Sequence, residues 1–176
     1  MTDLALASRV LLIVFTSVAA VTDWRTRRIP NWLTVSSLAL GTGLQAWLGG
    51  WAGLQSAGYG LGVALAIGLP LYLLRGLGGG DVKMMAAAGA ITGPMNFLYI
   101  FLINAVLGGV VAIVLVVYKG RLRRTLWNVA TIVRALAHLR APHEAEQQLD
   151  LASPDALTLP RGPVFAAAAV VFVVMI

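Results

Sequence analysis

The sequence predicts an all-α, polytopic integral membrane protein, with about six transmembrane helices and one cytoplasmic amphipathic helix. Three observations predict it. Of the 176 residues, 59% are hydrophobic and 11% charged, and the mean hydropathy is +0.85; a soluble domain is about 45–50% apolar and about 25% charged. The apolar residues are gathered into runs near the length of a spanning helix, about 20 residues. The basic residues are gathered into the segments between alternate runs.

The first run is Leu4–Val21. No basic stretch precedes it, and Arg25, Arg27 and Arg28 follow it, so it reads as a retained span and not a signal peptide. Trp32–Leu48 is the second run, entered through Pro30-Asn31. Tyr59–Leu74 is the third, rich in glycine and other small residues that let helices approach closely. Val82–Thr92 is a short, Ala-rich fourth, broken by Gly93-Pro94. Phe97–Tyr118 is the fifth. Pro163–Ile176 is the sixth, and at about 1.5 Å per residue it falls short of a hydrocarbon core of about 30 Å.

Between the fifth and sixth runs, Leu122, Leu126, Val129, Val133 and Leu136 recur at steps of four and three. Arg121, Arg123, Arg124, Arg134 and Arg140 fall mostly off that stripe. The pattern predicts an amphipathic helix over Lys119–Arg140, lying on the membrane surface; a solvated basic connector is the other reading. The polar and acidic stretch Ala141–Pro160 reads as a loop. Residues 1–176 are thus expected to form a single membrane-embedded domain, with 119–162 as its cytoplasmic helix and loop.

Charge sets the orientation. If the loop after the first span is cytoplasmic, alternate counting puts residues 22–31, 75–83 and 119–162 on that side. They hold Arg25, Arg27, Arg28, Arg75, Lys83, Lys119, Arg121, Arg123, Arg124, Arg134, Arg140 and Arg161. Of the 13 basic residues only Arg9 lies elsewhere, as the positive-inside rule requires. The N-terminus is predicted outside. The net charge of +6 then reflects cytoplasmic loops facing anionic membrane lipid, and nucleic acid is not an expected partner. There are no cysteines, which excludes disulfides, thiol catalysis and cysteine-ligated metal sites.

Two of the seven acidic residues stand at the cytoplasmic ends of apolar runs, where an ionisable group marks a functional site by default. Asp23 ends the first run and Asp81 opens the fourth, inside Gly78-Gly79-Gly80-Asp81-Val82-Lys83. Both belong to the cytoplasmic side. Two adjacent carboxylates hold one proton between them. The ionised member can take a proton from water while the protonated one polarises a carbonyl. That is peptide hydrolysis with no metal, no cofactor and no covalent intermediate. The glycines would permit positive φ and close approach of a substrate backbone, and Lys83 would tune the pair or contact anionic lipid. Structural readings stand beside these: Asp81 as a helix cap, and Asp23 paired with Arg25 or Arg27.

These residues resemble the prepilin peptidases, a family of membrane GxGD aspartyl proteases. Gly78-Gly79-Gly80-Asp81-Val82-Lys83 resembles their GxGDxK motif. The stretch from Thr22 to Asn31, an aspartate followed by basic residues and Ile29-Pro30-Asn31, resembles their first motif. Leu159-Pro160-Arg161-Gly162-Pro163 resembles the Pro-x-Gly opening of their last helix, with Arg161 where an apolar residue is expected. The resemblance implies a catalytic dyad of Asp23 and Asp81 at the cytoplasmic face of the bacterial inner membrane. The implied substrates are prepilins or pilin-like proteins carrying a short basic leader. Gly78, Gly80 and Lys83 are implied to shape the site, and Arg25, Pro30 and Asn31 match motif positions. The chain opens directly on a span and lacks cysteines, so it is similar to the short, peptidase-only members of Tad/Flp pilus assembly, and methyltransferase activity is not expected. The 119–162 segment is either a docking element for pilus-assembly machinery or inert. The alternative to an enzyme is a non-enzymatic assembly subunit or a small proton-coupled transporter using the paired carboxylates.

Overall fold

The structure, a computed structural model, describes residues 2–74, 76–118 and 161–175. The amphipathic helix and loop expected over 119–160 lie outside them. The described residues form helices joined by short turns, with no strand among them. These are α1 (Thr2–Thr26), α2 (Asn31–Leu73), α3 (Gly79–Thr92), α4 (Pro94–Tyr118) and α5 (Arg161–Met175). Three are long and apolar enough to cross a membrane: α1 over Asp3–Thr26, α2 and α4.

The second and third expected spans are two helices that follow one another directly, the two halves of α2. Their reversal is made at Gly50, with φ 58° and ψ −144°, a conformation open to glycine because it has no Cβ. Close packing of the two halves follows: a Cβ on Gly53 would run into the carbonyl oxygen of Gln45.

α3 lies against both halves of α2. Lys83 meets Asn31 at one end of α3, and Gln45 Nε2 donates to the Ile91 carbonyl (2.9 Å) at the other. The first half of α2 therefore runs parallel to α3. Gly60 faces Gly89, and Gly68 faces Val82, so the second half runs antiparallel. The contacts are made by backbone. A Cβ on Gly60 would strike the Gly89 carbonyl oxygen, and a Cβ on Gly89 would strike that of Gly60. On Gly41 it would stand 3.1 Å from the Ile91 Cα. Small residues give the close approach on which helix packing in an apolar solvent depends.

This enclosure accounts for the short fourth element. Val82 and every residue from Met84 to Thr92 are buried. A helix apolar on all sides is a core helix, and at about 21 Å for 14 residues it need not match the bilayer by itself. α5 packs antiparallel on α1 and also touches α4. Leu12, Phe15, Phe97, Ile100, Phe165 and Phe172 join the α3 side chains in one core.

The outside is apolar. Val10, Val14 and Val18 on α1, and Leu102, Val106, Val110, Ile113 and Val117 on α4, are exposed at helical spacing. Buried threonines satisfy themselves within their own helices: Thr16 Oγ1 donates to the Leu12 carbonyl and Thr92 Oγ1 to that of Ala88, both at 2.8 Å. A polar group without a partner is costly in a medium without water. The chain is thus a membrane protein, and its described helices alternate between two ends. One end holds the α1–α2 and α2–α3 turns and the start of α5. The other holds the start of α1, Gly50 and Gly93. Exposed tryptophans ring both: Trp24 and Trp32 at the first, Trp47 and Trp51 at the second, as in an interfacial aromatic belt.

The glycine contacts make a direct prediction. Gly60→Ala should lower the thermal unfolding midpoint of the detergent-solubilised protein, by the equivalent of about 1–3 kcal/mol for overpacking or more. Gly62→Ala, with nothing within 4 Å of the added Cβ, should leave the midpoint unchanged or raise it.

Candidate active site

Asp23 lies in the last turns of α1 because that helix runs past its apolar stretch before it turns. The turn passes through Arg27, which has a left-handed φ of 53°, a conformation costing a non-glycine residue about 1–2 kcal/mol. Its backbone N–H closes the helix on the Asp23 carbonyl (2.9 Å). The Asp23 side chain is half-buried and points across to α5. Its Oδ2 accepts the backbone N–H of Gly162 at 2.8 Å. Among the described residues its partner is this amide, and not Arg25 or Arg27 as a purely structural reading had it.

The contact depends on glycine. A Cβ on Gly162 would stand 2.8 Å from the Asp23 Cβ and 3.0 Å from its Oδ2. Gly162 thus holds a carboxylate 139 residues away in sequence. Reading the sequence did not assign it this role, although the Pro160-Arg161-Gly162 match pointed at the right stretch.

Asp81 lies in the first turn of α3. Gly78 is the cap residue, in an extended conformation (φ −80°, ψ 155°), and Gly79 and Gly80 are already helical. The expectation of positive φ at these glycines is therefore corrected: among the described residues only Gly50, Gly93 and Arg27 have it. Gly80 faces Ile29 of the α1–α2 turn, and an added Cβ there would make an ordinary contact, 3.4 Å from Ile29 Cδ1. The capping expectation for Asp81 holds in altered form. It is the third helical residue, and its Oδ2 accepts the Gly78 N–H at 3.0 Å, half of a capping box.

Both aspartates stand at the same end of the molecule, around the first turn of α5. Gly162 contacts Asp23, while Val164 and Phe165 share a cavity of about 350 Å³ with Asp81. The rest of that cavity is mainly apolar, including Leu77, Met84, Met85 and Phe101, with Asn104 as a further polar group. Lys83 is exposed and its Nζ donates to Asn31 Oδ1 at 2.7 Å, tying the start of α2 to α3. Arg25 is exposed at this end. Among the described residues no group of three or more His, Asp or Glu side chains is placed to hold a metal ion.

Residues 10–113 match the type IV leader peptidase family. The chain belongs to that family. The match takes in Asp23 and Asp81 together with the Asn31–Lys83 tie, so both aspartates lie within the family region. Gly162, which positions Asp23, lies beyond it. No curated protein and no solved structure matches the chain.

If Asp23 is a reacting group, Gly162→Ala should cut proteolysis by about a hundredfold, the scale of a misplacement of about 1 Å. Gly109→Ala, where an added Cβ meets nothing within 4 Å, should leave it intact. Rates measured on both purified variants, with thermal midpoints alongside, check the assignment.

Proposed function

We propose that the protein is an aspartyl endopeptidase of the bacterial inner membrane that removes the basic leader of type IV or Flp-type prepilins at the cytoplasmic face. In this reading the described helices provide six spans, counting α2 as two about Gly50. Asp23 and Asp81 form a dyad sharing one proton. The ionised carboxylate takes a proton from water, whose oxygen attacks the scissile carbonyl carbon while the protonated carboxyl donates to the carbonyl oxygen. Collapse of the tetrahedral intermediate breaks the C–N bond, and the leaving amine takes up a proton from the dyad. The leader keeps the new carboxyl group, and the mature pilin keeps the amine.

The observation that carries the reading is the placement of the two family aspartates at one end of the helices, one of them opening onto an apolar cavity. That is what cleavage at the junction of a basic leader and a hydrophobic helix requires. An apolar side chain of the substrate helix would occupy the cavity beside Asp81. Arg25, Arg27 and Arg28 lie at the same end, where the positive-inside pattern supports a cytoplasmic site. The chain is proposed to act as a peptidase only, similar to the Tad/Flp members, without N-methylation.

Co-expression with a Flp-type prepilin tests this. Wild type should yield the leader-shortened product on a gel, and Asp23→Asn and Asp81→Asn should each abolish it. Asparagine keeps a carbonyl oxygen to accept the Gly162 or Gly78 N–H, so both variants should remain folded in the membrane. Normal processing by either would refute the dyad.

A further inference from the structure

A second cavity, of about 230 Å³, lies at the opposite end of the molecule from the aspartates. Ser8 and Arg9 of α1, Gln45 and Ser56 of α2, Thr92 of α3 and Asn96 of α4 supply its polar wall. It has three features that packing alone leaves unexplained. Ser8 is 8% exposed, and its hydroxyl is buried with no hydrogen-bond partner. A buried hydroxyl without a partner is costly. Arg9 is the basic residue that stands apart from the positive-inside pattern, one helical turn or more into an apolar helix. Among the described residues no carboxylate lines the cavity, so none of them gives the guanidinium a counter-charge there.

The remaining groups complete a donor set. Asn96 Nδ2 donates one N–H to the Thr92 carbonyl (3.1 Å), which leaves its second for a ligand. Ser56 contributes a hydroxyl beside Gly93. Gln45 and Thr92 are committed to the carbonyls of Ile91 and Ala88, and so brace the wall. One cation, two hydroxyls and an amide N–H with no anion among them select an oxyanion and repel metal ions. Arginine's planar fork suits phosphate in particular. The space exceeds the roughly 30 Å³ of a single water. The cavity also lies at the end where Trp47 and Trp51 are exposed, the depth of phospholipid headgroups.

We infer that this cavity binds a phosphate group, with Arg9 as its counter-charge and Ser8, Ser56 and Asn96 as hydrogen-bond donors. The phosphate is that of a phospholipid headgroup or of free inorganic phosphate, and two arms separate the sources. In the first, delipidated protein is reconstituted with phosphatidylglycerol and retained lipid is counted by native mass spectrometry. In the second, inorganic phosphate is titrated against the delipidated protein while the thermal midpoint is followed, with chloride at matched ionic strength as reference. Wild type should show saturable binding in one arm, which names the source. Arg9→Gln should weaken it by about tenfold or more, the loss of one charge-assisted contact. Ser56→Ala, a smaller change to the fold, should weaken it in the same arm. The inference is overturned if neither arm shows saturable binding, or if folded Arg9→Gln and Ser56→Ala both bind as wild type does.

Discussion

The structure depends on the backbone contact of α3 with α2. At Gly60 and Gly89 two helices touch through main-chain atoms, and neither position has room for a methyl group. In an apolar solvent there is no hydrophobic gain in bringing two helices together, so dispersion at close range must supply the attraction. Glycine makes that range accessible. With α3 seated between the halves of α2, its first turn and Asp81 are set against the α1–α2 turn through Gly80 and Ile29, and against α2 through Lys83 and Asn31.

The same economy of side chain governs the other carboxylate. Asp23 is held by a backbone amide, and the amide reaches it because Gly162 has no Cβ. Each aspartate thus takes a main-chain N–H from a glycine, from the cap of its own helix for Asp81 and across to α5 for Asp23. Backbone donors have fixed positions and cost no side-chain entropy, so they orient a reactive group well where few polar side chains are available. At the opposite end the polar groups are arranged otherwise. Arg9 and Ser8 line a shared space to which all five helices contribute.

Much of this was legible in the sequence. Hydropathy located the helices because a lipid-facing helix must be apolar along its whole length, and the positions found for α1, α4 and α5 follow the runs closely. The charge pattern grouped Asp23 with Asp81 at one end, which the helix directions reproduce. The motif around each aspartate was readable because it interrupts apolar runs. The reversal at Gly50 was not, since it is one glycine among many in a small-residue stretch and its φ depends on what packs around it. Nor was the helical state of Gly79 and Gly80: glycine has a weak helix propensity, and the turn they form is closed by the Asp81 carboxylate on the Gly78 N–H.

By itself, then, the sequence determined a helical membrane protein, the grouping of its basic residues, and two aspartates in family motifs, because composition and periodicity are local properties that every membrane helix must satisfy. Only the tertiary structure decided which groups those aspartates face. The hold of Gly162 on Asp23, the tie between Lys83 and Asn31, and the cavity around Arg9 join residues far apart in the chain. The reason is geometric: each contact depends on the absence of a Cβ or the length of a side chain at a helix crossing, and no local pattern records where helices cross.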